Sequence, residues 1–275
     1  MTSVPTVADQ SRSRFFYLKR FFLKGRRTRL YSLGTNKSGT HSLAEMFSRG
    51  IRVGHEAEAE ALIRKILDAQ AGQVSREELT RWVLARDRKL ALDVDSSQLN
   101  FFLVDILQQE FPEARFVLTI RDAYSWVDSL INHLLNHPQT SPEWVEIRNV
   151  RFRASVLTHA PEEQVLKEHG LHTLDGYLAY WAEHNGGVVA KVPADRLLVV
   201  RTDQIRHRAV EIADFAGLPR KTLNVERAHA FKNPKKFNIV RQLDRGFVEQ
   251  KVAKHCGPLM KEFFPEIRSL DDARL

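Results

Sequence analysis

The chain has 275 residues, 43% of them hydrophobic and 28% charged, with a formal net charge of +8 and a single cysteine. That length accommodates one α/β domain of about 250 residues with a good core, and the composition is that of a soluble globular protein. Cys256 alone excludes an internal disulfide and a cysteine-based zinc site, and fits a reducing compartment. The positive charge is concentrated: residues 12 to 29 hold Arg12, Arg14, Lys19, Arg20, Lys24, Arg26, Arg27 and Arg29 with no acid, leaving 34 basic against 34 acidic residues elsewhere. A neutral main body gives no expectation of a nucleic-acid partner.

Residues 1–28 read as a basic, aromatic arm ahead of one domain over residues 29–275. No apolar run in it approaches the ~20 residues needed to cross a bilayer. Lys19, Arg20 and Lys24 also interrupt any signal-peptide core. Its favoured role is a helix whose aromatics cover the domain; weak membrane-surface contact is the sharper alternative. A cytoplasmic protein is expected.

Leu30 to Leu33 is a short apolar run ending at Gly34, and Leu43, Met46 and Phe47 recur at helical spacing, so a helix opens near Ser42. Between them lies Gly34-Thr35-Asn36-Lys37-Ser38-Gly39-Thr40. A small-residue loop feeding a helix N-terminus offers backbone N–H groups to an anion, so a phosphate-bearing ligand is expected. The Walker A pattern places its lysine directly after the second glycine. Here Thr40 stands there, and Lys37 projects from inside the loop instead.

Farther on, Ile51 to Gly54 reads as a short strand ending at His55-Glu56, and residues 56 to 69 and 75 to 86 as helices. Lys89 to Val94 reads as a strand closing on Asp93 to Ser97, and Phe101 to Glu110 as a helix. Arg115 to Ile120 is an apolar run suited to a sheet covered on both faces. Residues 137 to 172, broken by Pro138, Pro142, Pro161 and Gly170, suggest an insertion or lid. Thr173 to Ala190 is a long helix, Arg196 to Val200 the last central strand, and Ile205 to Phe215 a helix stopped at Gly217-Leu218-Pro219. Strands alternating with helices predict a single-domain α/β fold, a parallel sheet with ligands beyond the carboxyl ends of its strands. Gly34 to Thr40, His55, Asp93 to Ser96 and Arg121 then share one rim.

Arg121 follows the strand Arg115 to Ile120, with Ser129 eight residues on along the next helix. A guanidinium fork and a short hydroxyl at that spacing can clamp a phosphate. The order Lys-Ser-Gly-Thr on strand, loop and helix, followed by this Arg…Ser pair, resembles the sulfotransferases, which use 3′-phosphoadenosine 5′-phosphosulfate (PAPS) as donor. Phe-Pro-Glu-Ala-Arg-Phe-Val-Leu-Thr-Ile-Arg-Asp (111 to 122), Leu-Leu-Val-Val-Arg-Thr-Asp-Gln-Ile (197 to 205) and Phe-Ala-Gly-Leu-Pro (215 to 219) look like the same family. The resemblance covers about residues 29 to 240. Ser42 stands where the phenol-sulfating enzymes carry an adenine-stacking Trp, and their C-terminal Arg-Lys-Gly motif is missing. These departures tilt the likeness toward the bacterial and carbohydrate-type branches. Lys232, Lys235 and Lys236 are possible substitutes for that motif, and a solvated basic turn is the competing reading.

The resemblance implies transfer of a sulfuryl group to a hydroxyl or amine of a small-molecule or carbohydrate acceptor, leaving 3′,5′-bisphosphoadenosine (PAP), with no metal. Lys37 is then expected to stabilise the leaving phosphate. Asn36, Lys37, Ser38, Gly39, Thr40, His41 and Ser42 would hold the 5′-phosphate, and Arg121, Ser129 and Lys232 the 3′-phosphate side. The acceptor needs a base; Asp95 is favoured, then His55, with Glu56 and Asp93 also on the rim. His133 and His184 are set aside as surface or packing residues. Trp144, Phe152, Tyr177, Tyr180 and Trp181 are assigned to the core ahead of a pocket. The competing readings are a P-loop kinase-like phosphotransferase and a non-catalytic nucleotide-binding protein of the same fold. Acceptor identity and oligomeric state are left open.

Overall fold

The computed structural model describes residues 25–47, 49–229 and 234–275. Lys232 and the aromatic part of the N-terminal arm lie outside the described residues. Five parallel strands form one sheet in the order β2-β3-β1-β4-β5: β1 (Leu30–Ser32), β2 (Val53–His55), β3 (Val94–Ser96), β4 (Arg115–Ile120) and β5 (Leu197–Arg201). Alternate residues face opposite ways. Tyr31, Phe116, Leu118 and Ile120 join one buried apolar cluster, whereas Leu30, Val94, Val117 and Val200 join another. A sheet covered on both faces explains why its strands read as continuous apolar runs.

Ten α-helices connect and cover the strands: α1 (Thr40–Met46), α2 (Ala59–Gln70), α3 (Arg76–Leu90), α4 (Val104–Glu110), α5 (Ala123–Asn136), α6 (Pro142–Arg151), α7 (Gln164–Glu168), α8 (Leu174–Lys191), α9 (Ala209–Phe215) and α10 (Arg245–Phe263) among the described residues. α3 starts at a capping box in which Ser75 and Glu78 exchange side-chain and backbone hydrogen bonds. It runs to Leu90 and ends on Ala91 at φ 45°. The strand expected over Lys89 to Val94 is therefore confined to Val94–Ser96, because helix occupies its first half. β5 is an edge strand, not a central one.

The N-terminal boundary is tied to the sheet side. Arg26 pairs with Asp87 at 2.8 Å, and Arg27 donates its N–H to Asp93 at 2.6 Å. α10 packs on α8 through Val248, Val252, Cys256 and Met260, one residue per turn. Asp175, at the start of α8, accepts from Lys251, Lys254 and His255 of α10. This docking carries the last residues, 264 to 275, back to the rim of the sheet. Among the described residues no helix is long and apolar enough to cross a membrane.

Candidate active site

The strand ends meet at a cleft of about 790 Å³. Its floor is the Gly34–Thr40 loop, which neighbours hold from several sides. A side chain at Gly34 would place Cβ 2.1 Å from the Thr119 hydroxyl, so only glycine fits. Gly39, at φ 105°, turns the chain into α1. Trp126 donates to the Asn36 carbonyl at 2.8 Å, His184 bonds the Leu33 carbonyl at 2.7 Å, and Thr202 donates to the Ser38 carbonyl. Held this way, Lys37 adopts φ 65°, a conformation uncommon for a residue with a side chain. The first-turn N–H groups of α1 have no partner within the helix.

From the end of β4, Arg121 and three residues of α5 line the wall: Ser125, Ser129 and His133. Ser125, Ser129 and His133 are spaced by four residues along one face of α5, and Arg121 precedes Ser125 by the same spacing. Asp122 caps α5 by accepting the Ser125 N–H at 2.9 Å, and the Ser125 hydroxyl accepts from Arg121 Nε at 2.9 Å. Trp181 fixes the Arg121 carbonyl at 3.0 Å.

Lys37 and Arg121 are brought into one partly desolvated space. Burial, then the Arg121 charge, pull the Lys37 ammonium down to about 8. Burial likewise lowers Arg121, against the pull of Asp122, Asp128 and Asp203. Burial and the Lys37 charge take His133 to about 4. Like charges concentrated where water is scarce are relieved by an anion between them. Lys37 and Arg121 favour an anion beside them, in a cleft whose lining also carries Glu56, Asp122, Asp203, Glu266 and Asp272.

On the opposite rim, β2 ends in His55-Glu56. His55 lies edge-on to His41, with ring centroids 4.9 Å apart, and its Nε2 is 3.4 Å from the Thr40 hydroxyl. It is open to the cleft yet surrounded by protein, and burial, then His41, hold it neutral at about 4. Glu56 accepts from the Ser97 hydroxyl and from the Gln98 N–H at 3.1 Å. Burial raises its proton affinity. Gln98 in turn accepts from Arg151 at 2.6 Å.

The Sulfotransferase domain family matches residues 29–204, more than half of the chain. The chain belongs to the sulfotransferase family. No curated protein matches the sequence significantly. Among solved structures it is similar to a sulfotransferase from Alicyclobacillus acidocaldarius, at 13% identity over 85% of this chain and 96% of that one, TM-score 0.47. It is also similar to the sulfotransferase domain of the Synechococcus PCC 7002 olefin synthase, at 14% identity over 81% and 85%, TM-score 0.40. A mouse sulfotransferase, SULT7A1, complexed with PAP, is 12% identical over 86% and 72%, TM-score 0.35.

Within this sulfotransferase, the cleft gathers Asn36, Lys37, Gly39, Thr40, His41, Ser42, His55, Arg121 and Ser129 of the residues singled out in the sequence. Two others fall elsewhere. Asp95, expected past the end of its strand, is the middle residue of β3; it is buried and paired with Arg86 at 2.6 Å, behind the rim. Arg86 also donates to the Ala57 carbonyl, so this pair supports the loop that carries Glu56. Ser38 turns its hydroxyl inward, to the Thr35 carbonyl at 2.7 Å and to Thr119 at 3.1 Å. Asp93, just ahead of β3, accepts the Arg27 and Arg52 N–H groups. Lys236 reaches the Leu275 carbonyl and Lys235 lies over Phe237; neither lines the cleft.

Sequence reasoning missed several lining residues. His133 and Ser125 carried a usable signal, their spacing of four from Ser129. Trp144, assigned to the core, faces the cleft, while Phe152, Tyr177, Tyr180 and Trp181 are buried. Arg201 closes β5 as Arg121 follows β4, and its guanidinium pairs with Asp203 and Glu266 and lies 4.8 Å from the Phe264 ring centroid. Phe264, Ile267, Asp272 and Arg274 reach the cleft only through the docking of α10. No local pattern announces that. Among the described residues, no group of three or more His, Cys, Asp or Glu could hold a metal ion.

Proposed function

We propose that this sulfotransferase uses PAPS as donor and transfers its sulfuryl group to a hydroxyl or amine of a small-molecule or carbohydrate acceptor. The observation that carries this reading is the convergence of Lys37 and Arg121 on one desolvated cleft, which an anion with two separated phosphate positions would relieve. A volume of about 790 Å³ suits a nucleotide.

When bound, PAPS supplies the sulfuryl group and a phosphate leaving group. Gly39, Thr40, His41 and Ser42 hold the 5′-phosphate with first-turn N–H groups and hydroxyls; Arg121 and Ser129 take the 3′-phosphate. Lys37 stands at the oxygen bridging sulfur to the 5′-phosphate. Of the rim groups, Glu56 fits the base better than His55, because burial raises the one and lowers the other. Glu56 takes the acceptor's proton as its oxygen or nitrogen bonds sulfur. Lys37 then stabilises the electron pair left on the phosphate oxygen when the old S–O bond breaks. Such positioned charges dominate transfers of this class.

Thermal unfolding with PAP, ATP-Mg²⁺ or inorganic phosphate tests the donor assignment. Ligand at about 1,000 times its Kd stabilises by about 4.1 kcal/mol. PAP is expected to raise the midpoint strongly, and Arg121→Ala to erase the rise. A larger shift with ATP-Mg²⁺ would favour a phosphotransferase. For the base, Glu56→Gln is expected to cost about 10²–10⁴ in kcat, with the PAP-induced shift intact. A full effect from His55→Ala and none from Glu56→Gln would move the role to His55.

A further inference from the structure

A second groove opens beside the cleft and shares two residues with it, Glu56 and Trp144. Three elements build it. The β2–α2 turn and the start of α2 bring Glu56, Glu58 and Glu60; α3 brings Trp82 and Lys89; α6 brings Trp144. Both indoles are partly buried against the main core and lend their remaining surface to the groove. Lys89, largely exposed, pairs with Glu58 from the solvent side. Three carboxylates, those of Glu56, Glu58 and Glu60, thus line the groove against the one ammonium of Lys89.

We infer that this groove receives the acceptor, and that the acceptor is a hydroxylic compound with a flat body and a cationic amine at the end remote from its hydroxyl. The inference rests on Glu56 and the cleft being the transfer site. With the hydroxyl at Glu56, the rest of the acceptor meets Trp144, Trp82, Glu58 and Glu60, which line the same groove. Indole faces attract flat bodies, and attract cations by their quadrupole. The excess of lining carboxylates over the one ammonium of Lys89 complements a cationic amine and opposes an anion. The two ends of the combined cavity thus differ in charge: Lys37 and Arg121 face the donor, and an acidic, aromatic groove faces the acceptor. This polarity also keeps an anionic donor from entering the acceptor side.

Three phenols test this on the full-length protein: tyramine, N-acetyltyramine and 4-hydroxyphenylacetate share one hydroxyl and differ in remote charge. Binding is read from tryptophan fluorescence excited at the red edge of indole absorption, with and without PAP. Trp126 and Trp181 are fully buried, so changes report on Trp82 and Trp144. Tyramine is expected to bind at least about tenfold more tightly than 4-hydroxyphenylacetate, with the neutral analogue between them. The preference should shrink at about 0.5 M salt. Glu60→Lys should reduce or reverse it while the PAP-induced thermal shift persists. Trp144→Ala should weaken all three. Equal affinities, or tighter binding of the anion, with PAP still stabilising the protein, would overturn the acceptor inference and leave the donor site standing. If PAP gives no shift but the charge order holds, the groove stands and the donor assignment falls.

Discussion

Two pairs of charges, one behind the rim and one facing the cleft, have opposite designs. Arg86 and Asp95 are opposite charges, both almost completely buried, 2.6 Å apart. Lys37 and Arg121 are like charges, and each is made less willing to hold its proton by burial. The first pair is complete within the protein and serves as support. In the second, burial and the Arg121 charge both lower the Lys37 ammonium, and on the proposed function the donor's phosphates would relieve that cost. From sequence alone a conspicuous acid near a strand end looked like chemistry, whereas the proposed function rests on the two cations, Lys37 and Arg121, that line the cleft.

Breaking the complementary pair should give the largest change in stability. Asp95→Ala leaves Arg86 buried without its carboxylate and is expected to cost about 3–5 kcal/mol, read by urea denaturation. Because Asp95 lies behind the cleft, the PAP-induced thermal shift should survive in the folded fraction; its disappearance would return Asp95 to the site. Breaking the like-charge pair should do the reverse. Lys37→Met is expected to lower kcat/KM about 10²–10³-fold. The same change is expected to stabilise the ligand-free protein at neutral pH by about 1–2 kcal/mol, a discounted share of the cost of keeping a depressed lysine charged. A variant that loses both activity and stability would contradict this account.

A smaller effect sharpens the contrast through pH. The folded Lys37 titrates at about 8 against an ordinary 10.5, so the unfolded chain binds the proton more tightly. The cost is present in full below about 8 and disappears as pH rises toward 10.5, and stability should rise across that interval on this account. PAP affinity should fall over the same interval, as the ammonium that attracts it is lost. Lys37→Met should flatten both trends. The smallest effect is expected at Gln98→Ala, which removes the link from Arg151 to Glu56. It should shift the pH profile of kcat with little change in PAP affinity.

The parts legible in sequence were those whose determinants are local. A glycine-bounded loop, an apolar strand ending in arginine and a hydroxyl eight residues on were enough for the fold and for much of the cleft lining around the Gly34–Thr40 loop. The boundaries of β3 were misread because the sequence before Asp93 is also good helix, and α3 continues into it. Asp95 was misplaced for the same reason: moving the strand by a few residues puts the carboxylate inside the sheet and within reach of Arg86. Trp144 and His133 were hidden by ambiguity, since a half-buried aromatic on a helix fits core and cleft equally. Arg274 and Phe264 were out of reach of local reading. Their place depends on α10 packing across α8, a contact between distant segments.

Calorimetric titration of PAP at about pH 8.5, in buffers of different ionisation enthalpy, tests the central claim most directly. The ligand's phosphates are then already deprotonated, their second pKa being about 6. Any proton taken up belongs to the protein. The account predicts uptake of about half to one proton as the bound phosphates restore the charge on Lys37, and none in Lys37→Met. Binding without proton uptake, or with the same uptake in the variant, would contradict the assignment of Lys37 to the donor's leaving phosphate.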